Sequence, residues 1–410
     1  MKVSIITLGC RVNQAESDSL EATLKENGAT IVELKDNPDV CIVNTCTVTA
    51  ESDHNSRQLI RRASRAGSRV IVTGCYSQMK PSEVSAIPGV EKVIDNSRKD
   101  DIIGFLGYIQ TRPSVSHPGR SRPYLKVQDG CNFRCAYCSV PFARGRSRSL
   151  PLDAALQRAR DLEEAGFKEI VLTGIHLGTY GQDLPVKSSL SSLVAAIIKE
   201  TRDCRVRLSS VEINEIDDEL LDLMTTGRIC RHLHIPLQSG SDLILTRMRR
   251  CYSASSYRRK LDRVVEKAPD ISIGTDVIVG FPGENDTLFE ETASLLREGS
   301  FSYLHVFPFS RRPGTEACDL DGHLPGEVIR ERMKIMKCIN GIKRRTYADQ
   351  QIGKTLDVLL EQRIGNGMVV GTSGNYLKIA VSLDAFVRGT VVPVSVAEIC
   401  EGTLVGMVIQ

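Results

Sequence analysis

No stretch of about 18 consecutive apolar residues occurs in the chain, which argues against a membrane-spanning helix. The N-terminus, MKVSIITLGCRVNQAE, has a single Lys and a short apolar run but lacks a small-residue cleavage site. It therefore reads as a first strand and not as a signal peptide. A strong charge of one sign is missing too. The net charge of +3 is too small to argue for nucleic acid by itself. No internal repeat or low-complexity tract appears. What is plentiful is cysteine, with 13 residues. In a chain without a secretion signal, that content argues for metal, redox chemistry or packing, and against a disulfide framework. The odd count also fits poorly with full pairing. The apolar fraction of 41% is ordinary for a globular protein, and the length of 410 residues suggests two to three domains.

The densest chemistry lies in CNFRCAYC, where Cys131, Cys135 and Cys138 stand at spacing C-x3-C-x2-C. A loop that closes back on itself can present three thiolates to one cubane cluster. With no fourth ligand in the stretch, one iron stays open to a small molecule. A structural zinc site normally takes four ligands, and here only one C-x2-C pair is present with no second nearby.

Residues 1–110 read as an α/β domain. Apolar runs at 3–8, 40–44, 70–73 and 93–95 predict buried strands, and residues 15–26 have helical spacing. The alternation favours a parallel, doubly wound sheet. Cys10, Cys46 and Cys75 all fall just past the C-terminal ends of predicted strands, the edge where open α/β sheets place ligands. Three thiolates converging there could hold a second cluster. Cys41, inside a strand, reads as packing.

Residues 111–120, TRPSVSHPGR, read as a linker. Strands are then predicted at 124–127, 169–173, 205–209, 232–235, 271–279 and 303–307, with amphipathic helices between them, among them 152–164 and 286–297. Six β/α units over 121–348 predict an open partial barrel with its site at the C-terminal mouth of the strands. Thr173, Gly174 and Gly178 follow the second of these strands, Glu212 and Glu215 lie just past the third, Gln238 and Ser239 fall at the mouth, and Asp276 lies on the fifth strand with Gly280, Gly283 and Glu284 in the loop after it. His232 and His234 share one face of a strand, either lining the barrel or hydrogen-bonded in its core, and no metal needs them. Arg144, Arg146 and Arg148, with Arg134 and Lys126, form a local basic patch suited to phosphate contact, or else a solvated loop or charges that stabilise an anionic cluster. Cys338 sits on a helical apolar face near Ile335 and Met336 and reads as core packing. Short β-rich runs over 349–410 predict a small antiparallel β-barrel.

The stretch CNFRCAYC, with Tyr137 before its last cysteine, resembles the cluster loop of radical S-adenosylmethionine enzymes. That resemblance implies a [4Fe-4S] cluster whose open iron chelates the amino and carboxylate groups of the cofactor. An electron then cleaves the sulfonium to give a 5'-deoxyadenosyl radical. The contexts TLGCRVNQAES, NTCTVT and TGCYSQ resemble the N-terminal domain of the methylthiotransferases. They imply a second [4Fe-4S] cluster on Cys10, Cys46 and Cys75, two molecules of S-adenosylmethionine, and insertion of a methylthio group at an unreactive C–H bond. Cofactor contacts implied by the resemblance are Tyr137, Thr173, Gly174, Glu212, Gln238 and Asp276.

The C-terminal segment resembles the TRAM domain of tRNA-modifying enzymes, although it is not basic, so either RNA contact there is local, through Lys378 and Arg388, or the domain docks by shape. GCRVNQAES and CSVPFARGRSRS resemble the branch acting on threonylcarbamoyladenosine at position 37 of tRNA, with the isopentenyladenosine and ribosomal-protein aspartate branches as alternatives. The implied reaction abstracts hydrogen from C2 of the adenosine and attaches the methylthio group there. The implied partners are tRNA and a reducing electron donor protein, in the cytoplasm. A reading from another class is a non-catalytic iron-sulfur RNA-binding protein.

Overall fold

A computed structural model describes residues 1–109, 119–365 and 367–409, so the expected linker lies outside the described residues except for Gly119 and Arg120. Five parallel strands open the chain: β1 (Lys2–Thr7), β2 (Thr30–Ile31), β3 (Val40–Thr45), β4 (Arg69–Gly74) and β5 (Val90–Val93), in the order β2-β1-β3-β4-β5. Every residue of β3 is buried, because helices cover both faces of the sheet. Alternation along the strands sorts the core accordingly. Val40, Ile42 and Ile71 pack with Leu20 and Leu24 on one face, and Cys41, Val43, Val70 and Val72 with Ile60 and Tyr76 on the other. Cys41 is thus a packing residue, and burial pushes its thiol up to about 12. Three helices matter below: α1 (Arg11–Glu26), α2 (Ala50–Arg65) and the short α3 (Cys75–Met79).

The central region carries β6 (Tyr124–Lys126), a small antiparallel pair β7 (Gln128–Asp129) and β8 (Arg148–Ser149), then β9 (Glu169–Thr173), β10 (Arg205–Leu208), β11 (His232–His234), β12 (Ser272–Val279) and β13 (Tyr303–Pro308). Two parallel sheets, β10-β9-β6 and β11-β12-β13, are joined by parallel bridges between Ser210 and His234 and between Val206 and Ile229. Among the described residues no ladder joins β6 to β13, so the six strands form the expected open barrel. Ile170, Leu172, Val206, Leu208, Leu233 and Ile273 face the surrounding helices. Their strand neighbours Glu169, Arg205, Arg207, His232, His234, Asp276 and Tyr303 therefore face the interior. The long helix Gly326–Asp349 packs on β13 through Met336 and Ile339. Cys338 corrects the expectation of core packing: it points away from that buried face and is exposed.

The last strands, β14 (Thr355–Arg363), β15 (Met368–Ser373), β16 (Lys378–Ser382), β17 (Val391–Cys400) and β18 (Thr403–Val408), close a barrel in the order β14-β15-β16-β18-β17. Its ladders are antiparallel except β16–β18, which is parallel. Val358, Leu360, Val369, Ile379, Val381 and Val394 fill it. The β15–β16 turn leaves this barrel and enters the N-terminal end of the central one. There the Tyr376 ring lies 4.3 Å from the His232 ring, and Arg207 donates to the Ser373 carbonyl at 2.9 Å. Among the described residues, no helix is long and apolar enough to cross a membrane.

Candidate cluster and cofactor site

Each cysteine of the N-terminal trio is set by a strand end. Cys10 caps α1, Cys46 follows β3, and Cys75 opens α3 directly after β4. Two glycines permit the close approach of these loops. Gly9 has φ +103, and a Cβ there would stand 3.0 Å from the Cys46 sulfur. Gly74 has φ +104, and its Cβ would stand 2.3 Å from the Thr45 nitrogen. Asn13 stitches two of the loops, its Nδ2 donating to the Leu8 carbonyl at 2.7 Å and the Thr45 carbonyl at 3.0 Å. Burial pushes the Cys46 thiol up, and the nearness of Cys75 and Cys10 adds to it. Cys46 thus lies within electrostatic reach of both other thiols.

A buried charge network lies beside this trio. Arg144 donates to Glu16 at 2.8 Å and to Asp129 at 2.9 Å, and also to the side-chain oxygen of Asn13. Lys99 pairs with Glu16 and donates to Asn44 at 3.2 Å. Both cations lie within electrostatic reach of Cys75. This corrects the reading of Arg144 as a phosphate contact. The residue is 4% exposed and committed to carboxylates that the local sequence largely hides, Glu16 being 128 positions away. Lys126 is similarly paired with Glu16 and Asp129. Arg146 and Arg148 stay exposed, as do Lys378, paired with Glu361, and Arg388, which donates to Ser121 at 2.9 Å.

The second trio occupies the loop between β7 and β8. Gln128 holds its base, donating to the Gly130 carbonyl at 2.8 Å and accepting from the His176 backbone at 2.8 Å. A Cβ on Gly174 would meet this same Gln128 oxygen at 2.9 Å. The far side is pinned by Ala136, which donates to the Met248 carbonyl and accepts from Ala317. Burial raises the Cys135 thiol and pushes Cys138 up to about 12. Metal binding must therefore displace protons from this loop. Two basic side chains touch the sulfurs: His176 Nδ1 lies 3.3 Å from Cys131, and Arg250 lies 3.5 Å from Cys135.

Each of those basic groups is held by one of the two glutamates the sequence singled out. His176 Nε2 lies 2.5 Å from Glu215, and Arg250 pairs with Glu212. Gly178 is small because Glu215 needs the space: a Cβ there would stand 1.9 Å from its carboxylate. Local sequence did not reveal His176 or Arg250, although His176 lies inside the same TGIHLG stretch as Thr173 and Gly174. Arg250 stands 115 positions from Cys135, beyond any local pattern.

The remaining expected cofactor residues are distributed around the same mouth. Tyr137 is packed near Met248 and Phe281, and its buried phenol is raised by desolvation. Thr173 ends β9 with its carbonyl accepting from Val127 at 3.0 Å. Gln238 takes φ +66, a strained conformation for a side-chain-bearing residue, and donates from its backbone to the Asp276 carbonyl at 2.8 Å. Asp276 lies 2.9 Å from His234 and 3.4 Å from His305. Burial would raise its carboxyl, but the two imidazoles hold it below the usual range. His232 and His234 both line the barrel and share hydrogen bonds with the Tyr303 hydroxyl, at 2.8 Å and 3.2 Å.

A second tie joins the barrel to the first trio. Arg312, past β13, donates at 2.7 Å to both Thr47 and Asp53, beside Cys46. All six cysteines are free thiols, grouped as two trios, and among the described residues the thiols that act on Cys46 and on Cys135 and Cys138 are those of their own trio. Cations border both. That donor set fits two anionic [4Fe-4S] clusters with one open iron each.

The fold and the two trios define a radical S-adenosylmethionine enzyme that carries an additional cluster. Residues 125–296 match the radical SAM superfamily, and residues 2–95 match a family described as "Uncharacterized protein family UPF0004". The chain is 35% identical to the threonylcarbamoyladenosine tRNA methylthiotransferase MtaB of Bacillus subtilis, over 96% of this chain and 93% of that one. It is 39% identical to the Aquifex aeolicus protein of the same name, over 88% and 93%. Against the ribosomal protein uS12 methylthiotransferase RimO of Chloroflexus aurantiacus the identity is 30%, over 97% of each. Among solved structures, the radical S-adenosylmethionine methyltransferase TsrM of Kitasatospora setae shares the fold at 15% identity, with a TM-score of 0.57 over 77% of each chain. The chain belongs to the radical S-adenosylmethionine methylthiotransferase family, whose members use S-adenosylmethionine and two [4Fe-4S] clusters.

Proposed function

We propose that this tRNA methylthiotransferase adds a methylthio group to C2 of N6-threonylcarbamoyladenosine at position 37. The observation that carries the reading is the nearly end-to-end alignment with proteins of that name, in a chain where Arg144 ties the two trios and Arg312 ties the barrel to the first. When bound, the clusters and S-adenosylmethionine supply electron transfer, hydrogen abstraction and the methylated sulfur; the hard chemistry is theirs.

The chain's own part is positioning. His176 and Arg250 neutralise and orient the thiolates of Cys131 and Cys135, with Glu215 and Glu212 fixing both. Tyr137, Thr173, Gly174, Gln238 and Asp276 surround the mouth where the cofactor is expected. Lys99 and Arg144 balance charge at Cys75, and the N-terminal unit is held against the barrel where α1 packs on β6. No side-chain base is required for removal of a hydrogen atom. Arg146, Arg148, Lys378 and Arg388 are the exposed cations we assign to tRNA. We place the functional division at 1–110, 121–348 and 349–410, and the enzyme in the cytoplasm with a reducing protein as electron donor.

The test is mass analysis of nucleosides from tRNA bearing threonylcarbamoyladenosine, after incubation with reconstituted protein, reductant and cofactor. A gain of one methylthio group in place of hydrogen supports the reading. The same gain on isopentenyladenosine tRNA alone moves the enzyme to the sister branch. Cofactor cleavage with no gain on either RNA points to the ribosomal-protein substrate.

A further inference from the structure

A cavity of about 280 Å3 opens where the N-terminal unit, the first barrel strands and the C-terminal barrel meet. The cluster chemistry above makes no use of it. Exposed Lys378 and Arg388 stand at its rim, Arg122 forms a wall, and the more buried Arg11, Arg207 and Tyr376 stand further in. Among the described residues the lining holds one carboxylate, Glu361, and a further lining cation, Arg120, pairs with Asp18 at 2.8 Å.

The surrounding carboxylates do not balance these cations. Glu169 serves Arg205 at 2.7 Å and Arg207 at 2.6 Å. Glu361 serves Arg122 at 2.8 Å and also Lys378. Arg11 and Arg388 meet no carboxylate among the described residues. Arg11 donates to the Tyr376 hydroxyl at 3.1 Å. Arg388 donates to the Ser121 hydroxyl and the Gly119 carbonyl. Two guanidinium groups with neutral partners thus face one small space.

Two further observations mark the inner end. Tyr376 has φ +69, a left-handed conformation that a tyrosine adopts only under constraint, and this places its ring between the barrel interior and Arg11. Burial would raise its phenol, yet Arg11 and Arg122 pull it below its ordinary value, which reports positive potential there. Arg11 also directly follows Cys10, so this end of the cavity lies one residue from the first cysteine trio.

We propose that the three-domain cavity is an oxyanion-binding site for the tRNA substrate, with Arg11 and Arg388 as its two donors. The inference rests on the tRNA reading above. Two oxyanions of that substrate have the required chemistry: the carboxylate of the threonylcarbamoyl group and a backbone phosphate near the reacting base. The planar fork of arginine suits both.

The experiment measures binding of two anticodon stem-loop RNAs to the reconstituted full-length protein over a salt series. The RNAs are identical except that one bears threonylcarbamoyladenosine and the other plain adenosine at position 37. Wild type is compared with Arg11→Gln and Arg388→Gln. If the ligand is the carboxylate, Arg11→Gln weakens the modified RNA by roughly tenfold or more and leaves the plain RNA unchanged. If it is a phosphate, both RNAs weaken alike and the log–log salt slope falls by about one. Unchanged affinity of both variants for both RNAs overturns the proposal.

Iron content and visible absorbance show whether Arg11→Gln retains its clusters. Should it lose them, Arg388→Gln, which contacts neither trio, decides the question against Arg146→Gln, an exposed cation outside the cavity: a loss of affinity no larger than that of Arg146→Gln overturns the proposal, and a larger one supports it. Product mass from the wild type tests the tRNA reading separately. If the wild type modifies neither RNA while the variants still weaken binding, the cavity stands and the assigned reaction falls.

Discussion

Arg144 and Glu16 lie 2.8 Å apart although 128 residues separate them. Arg144 ends the short helix after the second cysteine trio, and Glu16 lies on α1, which Cys10 caps. The pair, with the Arg144 contact to Asn13, therefore links the helix capped by Cys10 to the loop of the second trio. Replacing Glu16 by Gln leaves Arg144 and Lys99 buried without that counter-charge. Breaking a buried pair this way costs on the order of 3–5 kcal/mol. The expected outcome is a lower thermal midpoint and loss of methylthiolated product, with 5'-deoxyadenosine still formed. Unfolding followed by circular dichroism and nucleoside mass analysis check the two parts.

Arg250 acts on the other trio. Arg250→Met removes the donor to Cys135 and the partner of Glu212. Cofactor cleavage should fall at least tenfold, by the loss of a charge-assisted contact, while the N-terminal trio keeps its iron. The converse variant, with Cys10, Cys46 and Cys75 all changed to Ala, should still release deoxyadenosine but attach no methylthio group. Product attachment by that variant would remove the N-terminal trio from the sulfur-transfer step.

Gly74 separates Thr45 from the loop of Cys75. Ala at this position must adopt φ near +104 and approach the Thr45 nitrogen at 2.3 Å. The β3 and β4 ends must then part, and the trio with them. Gly74→Ala should retain the iron bound at Cys131, Cys135 and Cys138 and lose the remainder, a change read by iron analysis together with the electron paramagnetic resonance of the reduced protein.

Glu169 gives a pH signature. Burial would raise its carboxyl, but Arg207 and Arg205 pull it down to about 2. The folded value lies below that of an unfolded glutamate, about 4.3. The stabilisation is therefore complete above that value and lost as pH falls through about 2. Stability of the cluster-free protein should drop across this acid window. The Glu169→Gln variant should be less stable at neutral pH, yet lack this part of the acid loss. Thermal midpoints measured in parallel across the window decide it.

The cysteine trios were legible because metal ligands recur at short spacings or at strand ends, and both patterns are written locally. The six barrel strands were legible for the same reason: each is a compact apolar run with charged helices between. The residues that tune the site were not. Arg250, His176, Lys99 and Arg312 earn their places through partners more than 30 residues away, and no window of sequence joins them. Arg144 misled for the mirror-image reason. In PFARGRSRS it sits among exposed arginines, and only the packing of α1 against β6 brings Glu16 to it. Cys338 shows the limit of helical periodicity, because Met336 and Ile339 already fill the contact with β13.

The β15–β16 turn gives the chain an unusual order of assembly. The interior wall containing His232 and Tyr303 is closed by Tyr376, a residue that leaves the ribosome after every strand of the central barrel has emerged. Domains generally fold in the order of synthesis, so the catalytic barrel passes through a stage with its base open while its mouth is already formed. A chain terminated before β15 would keep all six cysteines and still present an unsealed reaction chamber.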